Sequence, residues 1–428
     1  MSKILLGIVA DDFSGASDAA SFLVKQGIKT LLFNGVPNVP IQDLKEDIAV
    51  VVALKTRTEE TLKAVSESLE AFEWLKSNGA NQLFVKYCST FDSTKEGNIG
   101  PIIDSVLEKY TIKYTILAPA LPVNGRIVKD GHLIVNGVPL HETHMRFHPL
   151  TPMWDSDLSK LMEPQGKYPS LKINHELLEL SNDEILNTIE SFGQDKEHFY
   201  IIPDYIEEKH AVKIVDLFGN LPLLTGGSGL MEELGRKYIK ENSSKSDYVN
   251  SSTKGKAIIL AGSCSAATLG QIEEFKNNDG KHLRIDPIEL LKGTQTKEEI
   301  WSTIEASNEE AVLVYSSDKP ESVKEAQKVG VEKVSELLEQ TTAYLAKKAA
   351  QNGFNRIIVA GGETSGAVTK ILGYDSYIIG ESIAPGVPIM VPLENENIRL
   401  VLKSGNFGQK DFFMRAVSMT KEGLYVQP

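Results

Sequence analysis

The sequence predicts an α/β fold: two α/β domains with mostly parallel sheets flanked by helices, and a small antiparallel excursion in the first. Three observations lead there. Short β-branched runs alternate with helical-period segments, the rhythm of βαβ units. The strand candidates are continuously apolar, as strands covered on both faces of a sheet must be. The rhythm stops at a polar, Ser-rich stretch over 242–256 and restarts beyond it, which reads as a linker. With 428 residues, and about 150 per domain, two or three domains are expected. The linker favours two, 1–245 and 255–428.

Ile4 to Ala10 reads as the first buried strand, followed by a helix over Ala16 to Gln26 that Gly27 stops. Ile48 to Leu54 is a second strand, and Glu59 to Ser77 a helix ended by Asn78-Gly79. Leu83 to Tyr87 and Thr115 to Ala118 are the third and fourth strands. Between Arg126 and Leu140, Asp130-Gly131 and Asn136-Gly137 separate short apolar segments, a hairpin signal. After the linker come strand Ala257 to Ala261, a helix from about Ala267, strand Ala311 to Tyr315, a long helix over Val331 to Gln351, and strand Arg356 to Ala360. No close repeat of solenoid period is visible.

Apolar residues at 41% and charged residues at 24% are ordinary for a globular chain. The balance of 45 basic and 58 acidic residues gives −13, so the overall field does not favour nucleic acid or anionic membranes. The N-terminal apolar run is too short, and too soon acidic, for a signal peptide. No run approaches the roughly 20 residues needed to span a bilayer. Two cysteines, Cys88 and Cys264, exclude a disulfide framework and a Cys-rich zinc module. A cytoplasmic protein with a small-molecule substrate is expected, and a homo-oligomer is compatible with this.

Ligands of open α/β sheets bind at the carboxyl ends of strands. After the first strand stand Asp11 and Asp12, which can orient or deprotonate a hydroxyl, ligate a cation, or, for Asp12 or Ser14, merely cap the next helix. After the second stands Arg57, able to grip a carboxylate with two parallel hydrogen bonds or to be a solvated cation. After the third comes the densest polar segment, Lys86 to Pro101, with Ser89, Thr90 and Asp92. It suits a small polyhydroxylated acid, or is an ordinary turn-rich loop. Cys88 reads as a packed small residue, with no base near it in sequence. His141, His144 and His148 lie in an irregular segment where surface or substrate-facing roles outweigh metal ligation. No metal-ligand set is assigned.

Four turns are glycine-rich: 225–229, 262–265, 361–366 and 403–408. Glycine lets backbone amides approach phosphate oxygens, and a helix start adds positive partial charge. Tight βα turns use glycine anyway, but three such turns in the second domain favour nucleotide binding. None fits the P-loop or the dinucleotide fingerprint. A small-molecule phosphotransferase fits both halves.

These residues resemble the four-carbon acid sugar kinase family, whose N-terminal A-D-D-[FL]-[ST]-G-A motif stands here as Ala10 to Ala16. Gly262 to Ser265, Gly361 to Gly366 and Lys403 to Gly408 look like its C-terminal motifs, so the likeness runs in order over nearly the whole chain. Threonate and erythronate kinases carry a K-K-[IV]-D-S-T-L-R-G-N type loop. The loop here, with Pro119 to Arg126 and His148 to Met153, looks like the 3-oxo-tetronate 4-kinase branch. The resemblance implies ATP- and Mg²⁺-dependent phosphorylation of the C4 hydroxyl of a 3-oxo-tetronate such as 3-dehydro-erythronate, in acid-sugar catabolism. It implies a sugar acid on the first domain and ATP on the second. With it, Asp12 or Asp92 is the expected base, Asp12 preferred. Asp11, Arg57, Lys86, Ser89 and Thr90 are expected on the substrate, Arg57 and Lys86 on its carboxylate. Ser263, Ser265, Gly361, Gly362, Glu363, Thr364 and Gly405 are expected on ATP. Glu363 stands where many relatives have Asp and can reach metal, nucleotide or only backbone. The rivals are a D-threonate or erythronate 4-kinase, a nicotinamide-dependent oxidoreductase, and a non-catalytic sugar-acid sensor.

Overall fold

A computed structural model describes residues 3–41, 44–148, 150–242, 249–317 and 331–423. Residues 243–248, in the predicted linker, and Pro149 lie outside the described residues. The chain divides into two compact units, Met1–Asp247 and Tyr248–Pro428.

The first unit holds β1 (Ile4–Ala10), β2 (Thr30–Asn34), β3 (Ile48–Ala53), β4 (Ala80–Lys86), β5 (Tyr114–Ile116), β6 (Arg126–Lys129), β7 (His132–Val135), β8 (Val138–Pro139), β9 (Ser170–Ile173), β10 (Phe199–Pro203) and β11 (Leu223–Gly226). Its main sheet runs β11-β4-β1-β3-β2, every pair parallel. β1 and β3 are buried at every position, so their Ile, Leu and Val side chains each contribute roughly 1.5–3 kcal/mol. The helix Phe13–Lys25 packs on β1 to β3 and on helix Met231–Asn242, while Thr61–Ser77 packs on β1, β4 and helix Ile99–Lys109. The connections from β1 to β2 and from β3 to β4 run in opposite directions, so right-handed crossovers put these helices on opposite faces.

Two features differ from the linear reading. The expected fourth strand leaves the main sheet: β5 pairs with β10 in a separate parallel sheet, β5-β10-β9, and β11 takes the place beside β4. Thr225 Oγ1 donates to Ile116 O at 2.6 Å and Thr115 Oγ1 to Leu223 O at 2.9 Å, stitching the two sheets together. The second unit also carries antiparallel strands, which were expected only in the first. The predicted hairpins are present as β6-β7-β8. Asp130-Gly131 (φ 51° and 74°) and Asn136-Gly137 (φ 50° and 82°) take the paired left-handed conformations of tight hairpin turns.

The second unit holds β12 (Ala257–Ala261), β13 (Lys281–Arg284), β14 (Ala311–Tyr315), β15 (Arg356–Ala360), β16 (Ser376–Ala384), β17 (Val387–Pro392) and β18 (Arg399–Lys403). Its parallel strands run β18-β15-β12-β14-β13, with β17 and β16 added antiparallel beyond β18. Ile259, Ile358 and Val401 pack with Phe412 and Phe413 in its core. The five-strand order is that of the first unit, with β12 in the place of β1 and β15 in the place of β4. In both, the chain winds first to one side of the central strand and then returns to the other. That switch point opens a crevice at the carboxyl ends of β1 and β4, and again of β12 and β15. No helix among the described residues is long and apolar enough to cross a membrane.

Candidate functional site

At the first switch point the chain leaves β1 through Asp11 and Asp12. Asp12 is the N-cap of helix Phe13–Lys25, its Oδ1 accepting from the Gly15 amide at 2.6 Å. The plain capping role is therefore real, and it leaves Oδ2 to face Arg57. Arg57, after β3, sends Nε and Nη2 to Asp11 at 2.8 and 2.9 Å. It also lies 3.2 Å from Asp12 Oδ2 and 3.7 Å from Asp92 Oδ2. The fork assigned to a substrate carboxylate is thus occupied by the carboxylate of Asp11. Burial alone would lower the Arg57 pKa, but Asp11 and the other anions outweigh it and hold the guanidinium charged. Burial pushes the Asp11 carboxyl up, with Arg57 opposing.

The loop after β4 completes this cluster. Lys86 is buried, its Nζ donating to Tyr87 O at 2.9 Å. A Cβ on Gly15 would stand 2.6 Å from Asp12 Oδ1 and 3.2 Å from Lys86 Nζ, so a side chain there would press on both. Thr90 Oγ1 donates to Asp92 Oδ1 at 2.6 Å. Ser89 sits beside the turn after β11, its Cβ 3.4 Å from where a Gly227 Cβ would be. Buried Phe91 holds φ 51°, an uncommon conformation for a bulky residue, with its ring edge-on to Tyr87. Burial, with the Asp92 charge, pushes the Cys88 thiol up to about 12, so it stays protonated and packed. Asn98 donates to Thr56 O at 2.7 Å and to Glu59 O at 2.8 Å, tying the Arg57 loop to helix Ile99–Lys109. Asp11, Arg57, Lys86, Asp92, Ser93 and Asn98 line one pocket.

The turn at 225–229 is not built like a phosphate cradle. Cβ atoms on Gly226, Gly227 and Gly229 would stand 2.2, 2.4 and 2.1 Å from the carbonyl oxygens of Ala118, Pro119 and Ala120. These glycines permit a close backbone crossing.

At the second switch point three turns converge. Ser265 caps helix Ala266–Asn277, with its Oγ 3.3 Å from the Thr268 amide and donating to Gly405 O at 2.6 Å. Ser263 Oγ accepts from the Ser265 amide at 3.2 Å. A Cβ on Gly405 would stand 2.2 Å from Ser263 Oγ, so the turn after β18 rests directly on that after β12. Gly361, at φ 131°, starts helix Gly362–Leu372 with no side-chain cap, which leaves the amides of Gly362, Glu363 and Thr364 for another acceptor. A Cβ on Gly362 would meet nothing within 4 Å. Glu363 is exposed, and Thr364 packs where a Gly262 Cβ would be.

Lys403 is the residue sequence reasoning left unassigned here. It is 2% exposed, and its Nζ donates to Thr268 Oγ1 at 3.0 Å, Ser404 O at 3.2 Å and Gly405 O at 2.9 Å. Burial lowers its pKa to about 8, and no carboxylate pairs with it among the described residues. A buried ammonium with no such carboxylate partner, on the residue whose carbonyl bonds the Gly361 amide at the strand ends, suits an anion. The signal was a lysine closing the apolar run Leu-Val-Leu at the carboxyl end of its strand, Arg-Leu-Val-Leu-Lys.

His141, His144 and His148 form no metal-holding group among the described residues. Asp130, His175 and Asp204 do come together. Asp204 is buried and accepts from the amides of Asp130, Gly131 and His175 at 2.8, 2.9 and 2.9 Å, which makes it a staple for the hairpin turn.

Two family profiles match the chain: a sugar-binding N-terminal domain over residues 6–234 and a nucleotide-binding C-terminal domain over 258–413. A Brucella melitensis protein named 3-oxo-tetronate kinase is 39% identical over 424 residues, covering 97% of this chain and 96% of its own. A Haemophilus influenzae protein of the same name is 38% identical over 421 residues, covering 97% and 100%. Crystal structures from Haemophilus influenzae (TM-score 0.83) and Salmonella typhimurium (TM-score 0.88) are each 37% identical and cover 96% of this chain and 98% of theirs.

Proposed function

The chain belongs to the four-carbon acid sugar kinase family, in its 3-oxo-tetronate branch, and on that premise we propose that it transfers the γ-phosphoryl group of ATP to the C4 hydroxyl of a 3-oxo-tetronate such as 3-dehydro-erythronate. The observation that carries this reading is the contrast between two equivalent switch points. One gathers carboxylates and hydroxyl groups suited to a sugar acid; the other gathers uncapped amides and a buried ammonium suited to phosphates. We therefore assign the sugar acid to the first unit, 1–245, and ATP to the second, 255–428.

In this reading Asp12 is the base. Its side chain is 34% exposed against 8% for Asp92, and Oδ2 is free of the capping bond, so it can meet a bound hydroxyl. Arg57 bonds Asp11 and faces Asp12 and Asp92, which holds the three carboxylates in one array. Lys86 supplies positive charge for the sugar acid, with Ser89 and Thr90 beside it. The C4 oxygen bonds to the γ-phosphorus as the bridging bond to ADP breaks, and its proton passes to Asp12. Amides of Gly362 to Thr364 hold phosphate oxygens, the Gly361 amide being taken by Lys403 O at 2.9 Å, and Lys403, Ser263, Ser265 and Gly405 shape that turn. Glu363 is the one carboxylate in these turns and is exposed; one carboxylate with phosphate oxygens and water fits Mg²⁺. Glu363 would hold the ion, which supplies charge neutralisation on the phosphates when bound. Both cysteines are free thiols, which supports a reducing, cytoplasmic setting.

The test is ADP release, coupled to a dehydrogenase readout, with 3-oxo-tetronates, threonate and erythronate, each with and without Mg²⁺. Turnover led by a 3-oxo acid and dependent on Mg²⁺ is expected. Preference for threonate or erythronate would move the assignment to a different branch, and no acceptor-dependent turnover would sink it.

A further inference from the structure

Resting on the reading of the first unit as a sugar-acid site, we propose that Arg126, Asp18 and Ser228 form its second half, where Arg126 grips the substrate carboxylate and Asp18 accepts a hydrogen bond from the neighbouring hydroxyl. The two sides of the β4 end differ in charge. On the β3 side Arg57 faces Asp11, Asp12 and Asp92. Lys86 acts on Asp11 as well, but three carboxylates still outnumber the two cations there, and the Arg57 fork is already engaged, so another carboxylate is disfavoured. On the β11 side two cations, Lys86 and Arg126, act on Asp18, with the Asp12 charge opposing them.

The backbone fixes this arrangement. A Cβ on Gly229 would stand 2.1 Å from Ala120 O, so the segment entering the hairpin is pressed against the glycine turn. Leu121, the next residue, exchanges both backbone bonds with Arg126, at 2.8 and 3.2 Å. Ser228, in the same turn, donates to Asp18 Oδ2. Two opposite polar atoms remain unsatisfied: Asp18 Oδ1 and Arg126 Nε are buried without a hydrogen-bond partner. Buried polar atoms without partners are rare and costly, and they point to a ligand that completes them. Burial pushes the Asp18 carboxyl up, and the charge of Lys86 is the largest influence opposing it.

The two orphan atoms ask for complementary groups. A guanidinium edge takes a carboxylate with two parallel bonds, and a carboxylate oxygen takes an O–H. A 2-hydroxy acid presents both on adjacent carbons. Bound so, its carboxylate lies on the β11 side, and its far end is left for the Asp12 side of β4.

The test uses Arg126→Met and Asp18→Asn with two acceptors, a 3-oxo-tetronate and erythrulose, which carries CH₂OH in place of the carboxylate. Arg126→Met should raise the acid KM by roughly 30-fold or more, as loss of a charge-assisted bidentate contact does. Its kcat/KM for erythrulose and KM for ATP should stay within about twofold of wild type. Asp18→Asn keeps an oxygen for Ser228 but turns the orphan acceptor into a donor, so both acceptors should weaken about tenfold. Equal loss on both acceptors in Arg126→Met, or no loss, would overturn the proposal. Calorimetric binding of threonate, itself a 2-hydroxy acid, separates the two levels. If wild type binds threonate, Arg126→Met does not, and no acceptor is phosphorylated, the functional reading fails and the subsite stands. If wild type binds no four-carbon acid, both fail.

Discussion

Replacing Lys403 by Met should weaken ATP binding without weakening the fold. The fall of the Lys403 pKa from the ordinary 10.5 to about 8 corresponds to roughly 3 kcal/mol of penalty on its charge in the free protein. The penalty is fully present below pH 8, where folded and unfolded chains both hold the proton. Between about 8 and 10.5 the unfolded chain binds more protons, so this group's contribution to stability rises with pH. Met removes the penalty. Against that gain stand three hydrogen bonds worth about 1 kcal/mol each. Gly405 O keeps the hydroxyl groups of Ser265 and Thr268 as donors, so the loss falls mainly on Ser404 O. The melting temperature at pH 7 should therefore equal or exceed that of wild type. The affinity for ATP should fall by about 1.5 kcal/mol or more, at least tenfold. Calorimetry in buffers of different ionisation enthalpy reads both quantities. At pH 9 wild type should take up a proton on binding ATP, because phosphate restores the ammonium, and the variant should not. A stably folded Lys403→Met with unchanged ATP affinity and unchanged proton uptake would refute this account of the phosphate site.

Other residues give separable outcomes. Asp12→Asn keeps a capping oxygen for the Gly15 amide but loses the base, so kcat should drop by about 10²–10⁴-fold with the KM for ATP preserved; near-normal kcat would move the base to Asp92. Asp12→Ala should add a loss of about 0.5–2 kcal/mol in denaturant unfolding, because the cap goes too. Gly362→Val meets open space in the free protein, so its melting curve should be near wild type while the KM for ATP rises about tenfold or more; a rise confined to the sugar acid would contradict the assignment of the second unit. Asp204→Ala leaves two amides of the hairpin turn and the amide of His175 without their acceptor and should cost about 2–4 kcal/mol of stability.

Parallel strands covered on both faces announce themselves as unbroken apolar runs, so Ile4 to Ala10 and Ala257 to Ala261 were readable in the sequence to the residue. Hairpin turns needing left-handed residues were equally plain at Asp130-Gly131 and Asn136-Gly137. Neighbour choice was not legible. Nothing local in Thr115 to Ala118 says that it avoids the main sheet, because that depends on the later Leu223–Gly226 taking the edge beside β4. The repeated strand order of the two units was hidden for the same reason: topology is preserved there without a repeat in the residues. Strand-end chemistry showed Asp11, Asp12, Arg57 and Lys86, since charges at such positions stand out against apolar strands. Sequence did not show that the Arg57 fork is taken by Asp11, a contact 46 residues away. Nor did it show Asp18, whose significance comes from Ser228, 210 residues distant.

The central claim is transfer of a phosphoryl group from ATP to C4 of a 3-oxo four-carbon acid. Phosphorus NMR of the product formed by the wild-type protein with ATP, Mg²⁺ and a 3-oxo-tetronate tests it most directly. The account predicts a phosphomonoester signal coupled to the two C4 methylene protons, appearing in step with ADP, one for one. Free inorganic phosphate in place of the ester, or an ester on C2 instead of C4, would contradict it.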